Sequence, residues 1–92
     1  LLGGAFVTSN RESGDGRYDI QLKPTKKGLP GILIELKAAK NCSDEKLKKL
    51  SETALQQIND KKYETELMTA GVRTIYKYGV AFSGKKVEVS VG

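Results

Sequence analysis

Asp19, Glu35 and Lys37 lie in two short strings, Gly16-Arg17-Tyr18-Asp19-Ile20 and Ile32-Leu33-Ile34-Glu35-Leu36-Lys37, each of which reads as a β-strand. Side chains alternate along a strand, so Arg17, Asp19 and Gln21 share one face of the first, and Leu33, Glu35 and Lys37 one face of the second. The segment between them contains Pro24, Gly28, Pro30 and Gly31, residues that break ladders and favour turns, so an antiparallel hairpin is expected. Positions 19 and 35 are equally far from Lys27. A hairpin symmetric about that residue sets Asp19 opposite Glu35, with Cβ atoms about 5 Å apart, and Arg17 opposite Lys37.

Two ionised carboxylates at that separation repel by roughly 3 kcal/mol at an effective dielectric near 20. A divalent cation reverses the sign. Hard oxygen ligands in a small cluster suit Mg²⁺ or Mn²⁺, which take one or two carboxylates together with water and substrate phosphate oxygens. Such an ion stabilises the charge that develops on a phosphodiester during hydrolysis. Lys37, beside Glu35 on the same face, has the charge to orient the attacking water and hold the phosphate, and it can act as a base where burial or cationic neighbours lower its pKa.

Composition narrows the alternatives. The chain contains no His and a single Cys, Cys42, so zinc sites, an internal disulfide and His-based catalysis are excluded. A general base must then be Lys, Glu, Asp or Tyr, which favours metal-carboxylate chemistry over a Ser or Cys nucleophile. Ninety-two residues with 38% hydrophobic content make one domain over 1–92. No apolar run is long enough to span a membrane and no signal segment is visible, so an intracellular, cytoplasmic protein without a membrane partner is expected. Sixteen Lys plus Arg against eleven acids give a net charge of +5, which suits a polyanionic partner. Arg17, Lys27 at the hairpin tip and Lys40 just beyond the second strand are the candidate contacts to a phosphate backbone, and most other lysines read as solvated surface.

The elements that must hold these groups follow from periodicity. Ala5 to Ser9 reads as a strand ahead of the Gly14-Asp15-Gly16 turn, and Asp44 to Tyr63 as a helix capped by Ser43 or Asp44. Leu47, Leu50, Ala54, Leu55 and Ile58 form its apolar stripe. On a helical wheel Gln57 borders that stripe, Lys61 falls within its angular range and Gln56 lies on the far side, so Gln57 is expected to reach the sheet. Val72 to Phe82 reads as a strand with Ile75 on one face and Tyr76, Tyr78, Val80 and Phe82 on the other. A turn at Ser83-Gly84 leads to an edge strand through Val87, Val89 and Val91. The order β-β-β-α-β-β predicts an α/β or α+β layer structure, a mixed sheet with the main helix on one face.

Asp19, a spacer of fifteen residues and then Glu35-Leu36-Lys37 resembles the signature of the PD-(D/E)xK nuclease superfamily. The likeness extends through Glu12-Ser13-Gly14-Asp15-Gly16-Arg17-Tyr18-Asp19, Ala54-Leu55-Gln56-Gln57-Ile58, Tyr78-Gly79-Val80-Ala81-Phe82 and Gly84-Lys85, which resemble the nuclease-like C-terminal domain of bacterial AAA-ATPase-like proteins. The resemblance implies a restriction-endonuclease-like sheet and hydrolysis of nucleic acid, DNA more than RNA. It also implies Mg²⁺ or Mn²⁺ held by Asp19, Glu35 and the Leu36 carbonyl, with Lys37 at the water and Gln57 lining the site. The motif departs from the family name in carrying Tyr18 in place of the proline. Many members have a helix before the first strand that adds an acidic ligand; only Leu1 to Gly4 precede the first strand here, so the chain is expected to be the C-terminal part of a longer polypeptide with an ATPase domain. Glu12 is the acidic residue upstream of the turn that could assist at the metal. An alternative function is a catalytically silent binding or regulatory module on the same fold.

Overall fold

The computed structural model describes residues 6–12, 17–60 and 63–92. Three strands, β1 (Phe6–Glu12), β2 (Arg17–Pro24) and β3 (Gly31–Ala38), form an antiparallel meander. Two helices, α1 (Asp44–Asp60) and α2 (Tyr63–Thr69), then carry the chain to β4 (Ile75–Ser83), which pairs parallel with β3, and β5 (Lys86–Val91) returns antiparallel on β4. The result is a five-stranded mixed sheet in the order β1-β2-β3-β4-β5. A parallel pair requires a crossover, and the two helices supply it.

α1 begins where the sequence carries its signals. The Lys46 N–H donates to Ser43 Oγ at 3.3 Å, and Asp44 and Glu45 occupy the first turn where the helix dipole favours them. Leu47, Ala54 and Ile58 are buried against the sheet as the stripe predicted, with Leu50 and Leu55 half-buried. The described helical residues, 44–60 and 63–69, agree with the Asp44–Tyr63 reading and run past it to Thr69, an extension not anticipated. Lys61 lies outside the described residues.

α2 stops at a Schellman motif. Gly71, at φ +96, donates its N–H to the Met68 carbonyl at 3.0 Å, and the Val72 N–H reaches the Leu67 carbonyl at 3.0 Å. Leu67 and Val72 accordingly meet in the core with Leu33 and Ile58. This corrects the expected start of β4: Val72 is buried by a helix stop rather than by a strand, which begins at Ile75. β1 likewise differs from Ala5–Ser9, running through Glu12 because pairing with β2 overrides the weak strand propensity of Asn10 and Glu12.

α1 rests on β3, β4 and β5. At Gly79 the two layers touch by backbone: a Cβ there would collide with the Ser51 carbonyl oxygen and the Leu55 nitrogen. Ser51, fully buried, donates to the Lys48 carbonyl at 2.7 Å and shares a 2.7 Å hydrogen bond with Ser90, tying the helix to β5. Lys77 bridges β4 to both helices, 2.6 Å from Glu64 and 3.0 Å from Asn59. On the opposite face Ile32, Ile34 and Leu36 are half-buried, while Tyr76, Val87, Val89 and Val91 are exposed.

Candidate active site

The β2–β3 ladder has the register predicted from symmetry about Lys27: Asp19 pairs with Glu35, Arg17 with Lys37 and Gln21 with Leu33. Residues directly opposite in an antiparallel ladder share a face, with Cβ atoms about 5 Å apart. That face is the helix side, because Gly31, Leu33, Glu35 and Lys37 are buried in alternation with half-buried Ile32, Ile34 and Leu36. Asp19 is 7% exposed, Glu35 1% and Lys37 9%. Two carboxylates and an ammonium group are thus gathered out of water, an arrangement that is costly for each charge taken alone.

The neighbours of Glu35 are unequal. On the β4 side its register partner is Gly79, where the backbone of α1 closes down on the strand; on the other side it is Asp19 of β2. Lys37 has Ala81 as its β4 partner, so no bulky side chain crowds it there.

Gln57 is half-buried and Gln56 exposed, the order the wheel predicted. Gln57 Oε1 is buried and accepts no hydrogen bond. Such an orphaned acceptor costs about 1–3 kcal/mol unless it is given a partner. One oxygen each of Asp19 and Glu35, Oδ1 and Oε2, is likewise buried outside any hydrogen bond, although both residues and Lys37 interact with other groups.

The donor set fits a hard divalent cation. Among the described residues no group of three or more His, Cys, Asp or Glu side chains is assembled. Two carboxylates with a backbone carbonyl such as that of Leu36 match the habit of Mg²⁺, which takes few protein ligands and leaves positions for water and phosphate. In the β1–β2 register Glu12 pairs with Tyr18 and Arg11 with Asp19.

Of the candidate phosphate contacts, Lys27 is exposed at the β2–β3 loop and Lys40 is exposed in the β3–α1 connection, while Arg17 occupies the register position opposite Lys37. Tyr76 and Tyr78 belong to the sheet face away from the carboxylates, judged by the alternation in β4. Sequence reasoning missed the part played by Gly79. A glycine within an otherwise apolar strand is the available signal, since it marks where another backbone comes close. It also missed Ser51, a polar residue on the packed side of α1 that a search for apolar spacing passes over.

Among the described residues no helix is long and apolar enough to cross a membrane. Comparison with protein-family models gives a match over residues 1–91 to one described as PD-(D/E)XK nuclease superfamily. Comparisons with curated proteins and with solved structures gave no match.

Proposed function

Because the chain belongs to the PD-(D/E)XK nuclease superfamily, we propose that it is a divalent-metal-dependent nuclease that hydrolyses phosphodiester bonds of nucleic acid, DNA in preference to RNA. The observation that carries this reading is the pairing of Asp19 with Glu35 on one buried face together with Lys37.

Asp19, Glu35 and the Leu36 carbonyl would hold Mg²⁺ or Mn²⁺, and Gln57 Oε1 offers a further oxygen from α1. The ion, when bound, supplies positive charge against the phosphate and favours ionisation of water. Lys37, fixed beside Glu35, orients the attacking water and steadies the phosphate oxygens, and its side chain contributes charge where the pentavalent transition state becomes more negative. Burial under α1 excludes bulk water, which strengthens each of these interactions. Arg17, Lys27 and Lys40 contact the flanking backbone.

The test is cleavage of plasmid DNA, single-stranded DNA and RNA by the purified protein, with Mg²⁺, with Mn²⁺ and with chelator. Cleavage should require the metal. Asp19→Ala and Glu35→Ala should abolish it, Lys37→Ala should lose turnover while keeping most of the metal affinity, and Gln57→Ala should do less. Binding without cleavage in either metal, or an Asp19→Ala protein as active as the parent, would replace catalysis by the binding-module reading, with the fold serving an attached ATPase.

A further inference from the structure

At the end of the sheet where β3 and β4 begin lies a cavity of about 530 Å³ between the β2–β3 loop and the segment linking α2 to β4. Its lining includes Thr25, Lys26, Lys27, Arg73 and Thr74 and, among the described residues, no acidic one. The two walls are fixed to each other. The Gly31 N–H donates to the Thr74 carbonyl at 2.8 Å, Gly28 turns one wall at φ +87, and the other follows directly from the α2 stop at Gly71.

A row of residues leads from the carboxylates to this cavity. Along β2 the face shared with Asp19 continues through Gln21, half-buried, and Lys23, exposed, and the strand then ends at Pro24 beside Thr25. Exposure rises along this face, from Asp19, buried, to Lys23, in solvent. At about 3.3 Å per residue Thr25 is roughly 20 Å from Asp19. Phosphates of one strand of a duplex advance about 3.4 Å per nucleotide along the axis, so that span is roughly six nucleotides.

We infer that β2 is the floor of a substrate track, and that Lys26, Lys27 and Arg73 hold a backbone phosphate of the nucleic acid some six nucleotides from the bond that is cut. Three cations with two hydroxyl side chains match the charge and acceptor pattern of a phosphodiester, and the Arg guanidinium adds a planar donor fork. This inference rests on the nuclease reading for its choice of ligand; inorganic phosphate or a free nucleotide carries the same chemistry, and the test separates them.

Affinity for a duplex of about 20 base pairs and for one of about four is measured against salt in chelator, where nothing is cut. The triple variant Lys26→Ala/Lys27→Ala/Arg73→Ala replaces exposed side chains, and an unchanged melting midpoint confirms its fold. At about 0.9 per phosphate neutralised its salt slope on the long duplex should fall by roughly 0.9, so that across a fourfold rise in salt the parent loses about three- to four-fold more affinity than the variant. The short duplex should bind both proteins alike. With metal present, KM for the long duplex should rise while kcat holds. Lys85→Ala, in the β4–β5 turn, is the control. A parental slope in the triple variant, an equal loss on the short duplex, or millimolar inorganic phosphate filling the cavity without displacing the long duplex would overturn the track. A parent that cuts nothing yet shows the slope difference would leave the track standing and remove the nuclease reading alone.

Discussion

Asp19→Asn removes one charge from the buried pair and keeps its shape, so its effect on stability can be worked from the ladder. With both carboxylates ionised, the repulsion across about 5 Å is roughly 3 kcal/mol at an effective dielectric near 20. The same substitution forfeits attraction between Asp19 and Lys37, diagonal neighbours at about 7–8 Å, which is roughly 2 kcal/mol. The two terms largely cancel, so in chelator the Asp19→Asn protein should lie close to the parent in stability. Metal separates the two proteins. At a hundred times its Kd, an ion bound only by the folded state adds about 2.7 kcal/mol to the parent, while the variant has lost one of two carboxylate ligands and gains little. Urea denaturation in chelator and again in Mg²⁺ measures both terms. The reasoning is refuted by a variant whose stability rises with Mg²⁺ as much as the parent's does.

Gly79→Ala should destabilise by about 1–3 kcal/mol or more, since the new methyl meets helix backbone rather than a side chain that can rotate away, and cleavage should fall with it as α1 lifts Gln57 from the site; calorimetry and turnover report the two effects. Leu33→Ala, at a fully buried position in the cluster with Ile58, Leu67 and Val72, should cost about 2–5 kcal/mol by urea denaturation, and a cost below about 1 kcal/mol would show that this cluster is not the core.

The hairpin was legible because two independent features agree. Pro24, Gly28, Pro30 and Gly31 confine the turn, and a one-residue slip would exchange the faces of Leu33, Glu35 and Lys37 with those of Ile32, Ile34 and Leu36. The Gln57 position was legible from the wheel because α1 is regular on either side of it. What escaped were features decided by tertiary partners. Val72-Arg73-Thr74 has strand-forming residues, yet the Schellman stop at Gly71 claims Val72 first. Ser51 breaks the apolar stripe because its hydroxyl finds Ser90 across the layer, a pairing between α1 and β5 that no local window contains. The helical residues beyond Tyr63 escaped because Leu67, the next buried apolar residue after Ile58, is set off by a mostly polar stretch and takes its place through packing with Leu33 and Val72.

The hairpin origin of the carboxylate pair also bears on the order of folding. β2 meets β3 across a short loop, whereas Gly79 and Gln57 reach the site only after the crossover through α1 and α2 has closed, and loop-closure entropy delays such distant pairing. Asp19 and Glu35 thus come together first on a hairpin open to water, where two charges a few ångströms apart interact by only about 1 kcal/mol. The larger repulsion arrives with the roof, late on the pathway. A divalent ion that relieves it should therefore slow unfolding and leave the refolding rate nearly unchanged.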